Sequence, residues 1–176
     1  MDLNEILNSK VFLGQEFLTW LWHLSETEGG AELGELNWVE VSLGERLVLG
    51  PAMGAEGARV TVSGHEASLA EAREALRQGK LVESLRLGLE IHGEEYWLSL
   101  DAAELAVKSL KLPSAARMGE EPEGLEGLVL ERVAMIESTL KAMEGLLKMF
   151  LTTRLDAVEG PELCDALAEW AASGGA

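Results

Sequence analysis

The chain has 176 residues, of which 47% are hydrophobic and 26% charged. This composition belongs to a folded domain and excludes a disordered chain; at this length one core buries roughly 70% of the unfolded surface without a disulfide or metal staple. Fourteen Lys and Arg stand against 31 Asp and Glu, a formal charge of −17, which excludes phosphate binding spread over the whole surface. Cys164 is the single cysteine, so neither an internal disulfide nor a thiolate zinc cage is expected. The first five residues, Met1 to Glu5, are acidic where a signal peptide is basic, and no apolar run approaches the roughly 20 residues that span a bilayer. A soluble cytoplasmic protein with no membrane partner is the expectation.

Residues 10 to 25 read as the first helix, capped by Asn8 or Ser9. Leu13, Phe17, Trp20, Leu21 and Leu24 fall on one stripe, and Val11, Phe12, Leu18 and Trp22 add apolar surface elsewhere, so this helix is expected to be buried on more than one face. From Trp38 to Leu43 the period changes to two, with Val39, Val41 and Leu43 alternating as in a half-buried strand. Gly44-Glu45 suits a hairpin turn, with a second strand over Arg46 to Leu49. Gly50 to Gly57 reads as a loop, and Arg59 to Ser63 as a third strand with Val60 and Val62 inward.

Ser68 and Glu71 form a capping-box pattern for a helix to Gln78, with Gly79 at its stop. Lys80 to Ile91 is a long strand with Leu85, Leu87, Leu89 and Ile91 on one face. His92-Gly93 turns the chain, and Tyr96, Leu98 and Leu100 return on that same face. Leu105 to Leu112 is a further strand whose alternation slips, predicting a bulge near Lys108-Ser109; Pro113 ends it. Residues 114 to 124 form an acidic linker. A long helix follows from Leu125 to Arg154, where Val129, Val133, Ile136, Leu140, Met143, Leu147 and Phe150 make a seam with a mean period of 3.5 residues. The fold class is therefore α+β, an antiparallel meander-like sheet packed with helices. Residues 1–154 form the domain, and residues 155–176 an acidic tail with a short helix over Leu163 to Ala172.

No catalytic constellation, metal set or cofactor motif is present. His92 and Glu94 match a fragment of the zinc-deaminase signature, but its Pro-Cys-x-x-Cys partner is absent and a turn explains His92 better. His23 is expected at the edge of the first helix's apolar face. Trp20 and Trp22 read as core, and Trp170 as the anchor of the last helix. Trp38 and Trp97 point off the core face, where they can cover a second layer, line a dimer contact or stack on a base. The 3.5-residue seam has two readings, packing along its own sheet or pairing with another subunit. Arg73, Arg77, Lys80 and Arg86 cluster, as do Lys108 and Lys111, but interleaved carboxylates make a solvated mixed-charge surface the simplest expectation. The acidic excess concentrates elsewhere, leaving room for a locally basic sheet face.

Phe12-Leu13-Gly14-Gln15-Glu16-Phe17-Leu18-Thr19-Trp20-Leu21-Trp22 resembles the bacterial recombination-associated RdgC family in its shorter, divergent branch. Gly44 to Leu49, Ala75 to Lys80, Ser109 to Pro113 and Glu131-Arg132-Val133 continue the likeness in order, over roughly residues 11 to 154. Full-length members are much longer, and the chain corresponds to them without most of their N-terminal part. The resemblance implies an α+β fold, a homodimer that encircles duplex DNA without sequence specificity, and a non-enzymatic role beside the recombinase RecA, with nucleoid association. On this expectation Lys80, Arg86, Lys108 and Lys111 are the candidate DNA contacts and the seam Val129 to Phe150 is the candidate dimer contact. The alternative is a homodimeric protein-interaction module that keeps the fold without binding DNA.

Overall fold

A computed structural model describes residues 3–51, 56–63, 67–114 and 124–173, with side chains placed from residue 13 onward in the first helix. Four helices and six strands follow in the order α1 (Leu3–Thr27), β1 (Gly30–Glu32), β2 (Trp38–Pro51), β3 (Val60–Ser63), α2 (Ala67–Arg77), β4 (Lys80–Ile91), β5 (Glu94–Asp101), β6 (Val107–Lys111), α3 (Gly124–Leu155) and α4 (Glu159–Ser173). All strand pairs are antiparallel. The sheet runs β1-β2-β4-β5-β6, and β3 pairs the second half of β2. The fold is α+β.

The alternation that predicts the strands also decides which face is buried. Val39, Val41, Leu47 and Leu49 of β2, Leu85, Leu87, Leu89 and Ile91 of β4, and Tyr96, Leu98 and Leu100 of β5 all lie on one side and are all buried. The helices cover that side. Phe17, Leu18, Leu21 and Trp22 of α1 are almost fully enclosed. Phe17 and Trp20 meet Phe150 of α3 with ring centroids 5.4 and 5.7 Å apart. Glu16 fixes the same crossing by accepting hydrogen bonds from the Arg154 guanidinium at 2.9 and 3.3 Å.

Gly44-Glu45 is not a hairpin. β2 is one continuous strand of 14 residues that pairs β4 along both halves. Between the Leu43–Leu87 and Leu47–Leu85 pairs it places three residues opposite the single Arg86, so the glycine sits in a bulge. The 12-residue partner β4 supplies the second half with a ladder that a hairpin would forgo. A second irregularity lies in β4 itself, where Leu49 pairs Val82 and Val48 pairs Ser84. The Val82 N–H donates to the Thr19 hydroxyl of α1 at 3.3 Å, so a polar side chain in a buried helix serves a backbone donor at the bulge.

His92 (φ 53) and Gly93 (φ 81) both occupy the left-handed region, the geometry of a type I′ hairpin turn. Ser109 (φ 50) marks the bulge in β6, where Trp97 pairs Lys111 and Ser99 pairs Lys108. Gly79 ends α2 with φ +82. The Ser68 side chain, residues 52–55 of the Gly-rich loop and residues 115–123 of the linker lie outside the described residues. α4 starts at Glu159 rather than Leu163, because the Asp156 carboxylate accepts from the Val158 and Glu159 N–H groups at 2.8 and 3.0 Å. These two hydrogen bonds hold the Asp156 carboxyl below its ordinary pKa, Glu159's contributing most.

Glu26, near the end of α1, ties three helices together. Its carboxylate accepts from the indole N–H of Trp22 at 2.7 Å and of Trp170 at 3.0 Å, and it pairs with the buried Arg73 of α2. The Arg73 guanidinium also stacks on Trp170, 5.2 Å from the ring centroid. Through Trp170, α4 packs into the same core as the rest of the chain. Arg73 is thereby a structural residue.

Two predictions follow from this packing. Phe17→Ala is expected to lower the unfolding free energy by about 3–5 kcal/mol in a denaturant titration, because it removes an aromatic ring from a filled core. The second concerns His23, half-buried with its ring edge-on to Trp170 at 5.3 Å. Desolvation lowers its pKa from 6.5, against the opposing pull of Glu28 and Glu26. The fold therefore favours neutral imidazole: its contribution is complete above pH 6.5 and declines as pH falls from 6.5 through the lowered value. Between pH 7.5 and 5.5 the thermal midpoint should fall further for the parent chain than for His23→Gln, as measured by circular dichroism.

Candidate functional site

Among the described residues, the side of the sheet away from the helices is open. Residues on this face line up in rows across the strands, set by the register. One row is Ser42, Gly88, Trp97 and Lys111 on β2, β4, β5 and β6. The next brings Arg86, Ser99 and Lys108 together. Beyond it Val48, Ser84 and Asp101 align. On the other side of the Trp97 row, Glu40, Glu90 and Glu95 are directly opposite one another, three like charges on adjacent strands. The open face is thus electrically divided, acidic at one end and basic in the middle.

The basic rows form a groove of about 780 Å³. Its cations are Arg46, Arg86, Lys108 and Lys111, and its carboxylates are Glu45 and Asp101. Four cations against two carboxylates reverse the charge balance of the chain as a whole, where acids outnumber bases by 17. Lys108 is partly engaged, its ammonium 3.1 Å from Glu104, and this hydrogen bond is the main reason its pKa is raised. The pair is exposed and contributes little to stability.

Trp97 forms the floor. A Cβ at Gly88 would meet the Ser42 hydroxyl and then the indole at 2.9 and 3.0 Å, and one at Gly44 would meet the Arg86 side chain at 2.8 Å and the indole at 3.0 Å. The ring therefore lies over two glycines on neighbouring strands, close to the sheet, where any side chain would lift it away. The Arg86 guanidinium sits 5.8 Å from the ring centroid, within cation–π range. Gly44, bulged between its strand pairs, is needed for close approach rather than for a turn.

Of the four cations singled out from sequence, the structure brings Arg86, Lys108 and Lys111 together and leaves Lys80 apart. Lys80 begins β4 before its irregularity, and its ammonium donates to the Ala58 carbonyl at 2.9 Å. Arg46 takes its place in the groove. Sequence reasoning missed Arg46 because it stood in the second strand of a supposed hairpin; its signal was proximity to Gly44. Arg77 pairs with Glu74 at 2.6 Å on α2. Trp97 and Trp38 both lie off the core face, Trp38 being 51% exposed.

The α3 seam is divided. Val129, Val133, Ile136 and Leu140 are exposed, Leu147 is half-buried, and Met143 and Phe150 face the protein's own core. At seven-residue steps the exposure falls from 54% at Val129 to 39% at Ile136, 9% at Met143 and 1% at Phe150. A strict heptad drifts by about 20° per repeat on a straight α-helix, so one sequence stripe turns from solvent into the core.

Among the described residues, no helix is long and apolar enough to cross a membrane. Comparison with protein-family models, curated proteins and solved structures finds no match for the chain.

The cradle of Trp97 is testable. Gly88→Ala is expected to lift the indole, destabilise the chain by about 1–3 kcal/mol through overpacking, and shift tryptophan emission to longer wavelength. Trp97→Phe in the Gly88→Ala background should abolish the emission shift.

Proposed function

We propose that the protein is a non-enzymatic, sequence-independent DNA-binding accessory of recombination or replication, as its resemblance to the RdgC family implies, and that the groove on the open sheet face holds the sugar–phosphate backbone. The observation that carries this is the convergence of Arg46, Arg86, Lys108 and Lys111 on one face of a strongly acidic chain. Lys and Arg side chains neutralise phosphates without reading bases. At physiological ionic strength the Debye length is about 8 Å, so remote carboxylates are screened and the local charge governs contact. The Glu40, Glu90 and Glu95 row repels phosphate at one end of the face and so directs the backbone over the basic rows. Trp97 gives the groove an apolar floor on which a sugar or an exposed base packs.

A second reading, a protein-interaction module without DNA binding, has its own support in the exposed apolar residues of α3.

Titration with duplex DNA across salt concentrations separates the two. Three cations not engaged by Glu104 predict a slope of log K against log salt near −2.7, at about −0.9 per phosphate. Replacing Arg86 and Lys111 with Ala should flatten it to about −0.9 and weaken binding to all sequences alike. Lys80→Ala should leave binding unchanged, and Glu90→Gln with Glu95→Gln should strengthen it. Absence of binding at low salt would replace this function with the interaction module. Unchanged binding by the Arg86, Lys111 double variant would move the contact off this face.

A further inference from the structure

The outer face of α3 carries an apolar stripe that no described residue covers. Leu130, Val133 and Leu140 are 69%, 45% and 51% exposed, and Leu155 just before the turn to α4 is 71% exposed. Between them Leu147 and Leu151 line a shallow groove with Glu144, Lys148 and Leu155. From Leu130 to Leu155 the stripe spans about 37 Å at 1.5 Å per residue. Exposed apolar residues recurring over this length, with charged residues between them, mark an interaction surface.

The charges along this stripe say what covers it. Glu137 and Glu144 lie along it on either side of its centre, and Lys141 and Lys148 follow them by four residues each. The midpoint of 137 and 148 is 142.5, and so is the midpoint of 141 and 144. The midpoint of Leu130 and Leu155 falls at that same point. A two-fold axis there, perpendicular to the helix, sets each glutamate against a lysine of the second copy and lays the apolar end at Leu130 on the apolar end at Leu155. The face is therefore complementary to itself when reversed, as an isologous dimer contact must be. A parallel pairing in register would instead stack Glu144 on Glu144 and Lys148 on Lys148.

We propose that two copies of this chain associate through α3 in antiparallel orientation, centred between Ala142 and Met143, with Leu140 and Leu147 packing around the axis. Met143 and Phe150 take no part, since each is committed to the core of its own protomer. The contact lies on the helical side of the molecule, so it leaves the open sheet face of both copies free, and it stands or falls independently of DNA binding.

Sedimentation of the full chain at micromolar to hundred-micromolar concentration tests the association. The mass should rise from 19.0 kDa to twice that value. Leu140→Glu, an exposed position that the fold tolerates, should abolish the dimer with an unchanged thermal midpoint. The variant with Glu137→Lys and Glu144→Lys, and the variant with Lys141→Glu and Lys148→Glu, should each be monomeric alone and should dimerise when mixed. Orientation is read separately. A spin label at Leu130→Cys, in a Cys164→Ser background, should report a separation of about 37 Å or slightly more between copies, whereas parallel pairing gives about 10 Å. A 19.0 kDa mass at every concentration, a dimer indifferent to Leu140→Glu, or the short distance would each overturn the proposal.

Discussion

Among the described residues the helices lie on one side of the sheet and leave its other side to water, and that constraint organises this molecule. The apolar residues of β2, β4 and β5 keep one phase across two irregularities, so the entire core collects beneath α1. What remains on the other phase is mostly polar, aromatic or glycine, with Val48 the aliphatic member of its rows. Because hydrogen-bond register fixes which of these residues are neighbours, the open face acquires its charge pattern without any further element to hold it. The rows Glu40–Glu90–Glu95 and Arg86–Ser99–Lys108 are consequences of strand pairing. A one-residue slip would send both to the core side.

The helical layer is correspondingly over-determined. Glu26 satisfies two indole N–H groups and a buried guanidinium from three helices. Removing that carboxylate would leave Arg73 buried and uncompensated, a far larger penalty than the pair's net contribution to stability. Arg154 and Glu16 pin the other end of α1 to α3. With one side rigidly packed, the open face can carry repulsive clusters and a recessed tryptophan that would be untenable in a weaker scaffold.

Much of this was legible in the residues. The motif from Leu13 to Trp22 encodes a helix that meets something on every side, and the structure supplies each partner. Gly14 admits the backbone of Ala102, Gln15 donates to the Pro51 carbonyl at 3.2 Å, Glu16 takes Arg154, Thr19 serves Val82, and Phe17, Leu18, Leu21 and Trp22 fill the core. The alternation of β4 and β5, the turn at His92-Gly93 and the bulge at Ser109 are likewise local and readable. Illegible features are those fixed by tertiary pairing. Gly44-Glu45 carries the local signature of a turn, and only the length of β4 makes it a bulge. The α3 period announces a helix but not which of its faces meets the core, so one 3.5-residue seam holds Met143 and Phe150 together with residues that face solvent. Arg46 joins Arg86 through that same bulge, and Lys80 leaves the group through the irregularity in β4.

The proposed contact with nucleic acid lies on the open face. The most direct measurement is a map of backbone and indole N–H chemical shifts while a short duplex is added at low ionic strength. Shifts should concentrate at Arg46, Arg86, Trp97, Ser99, Lys108 and Lys111, with α1, α2 and α4 unperturbed. Shifts confined to the helical side, or none at any DNA concentration, would contradict it.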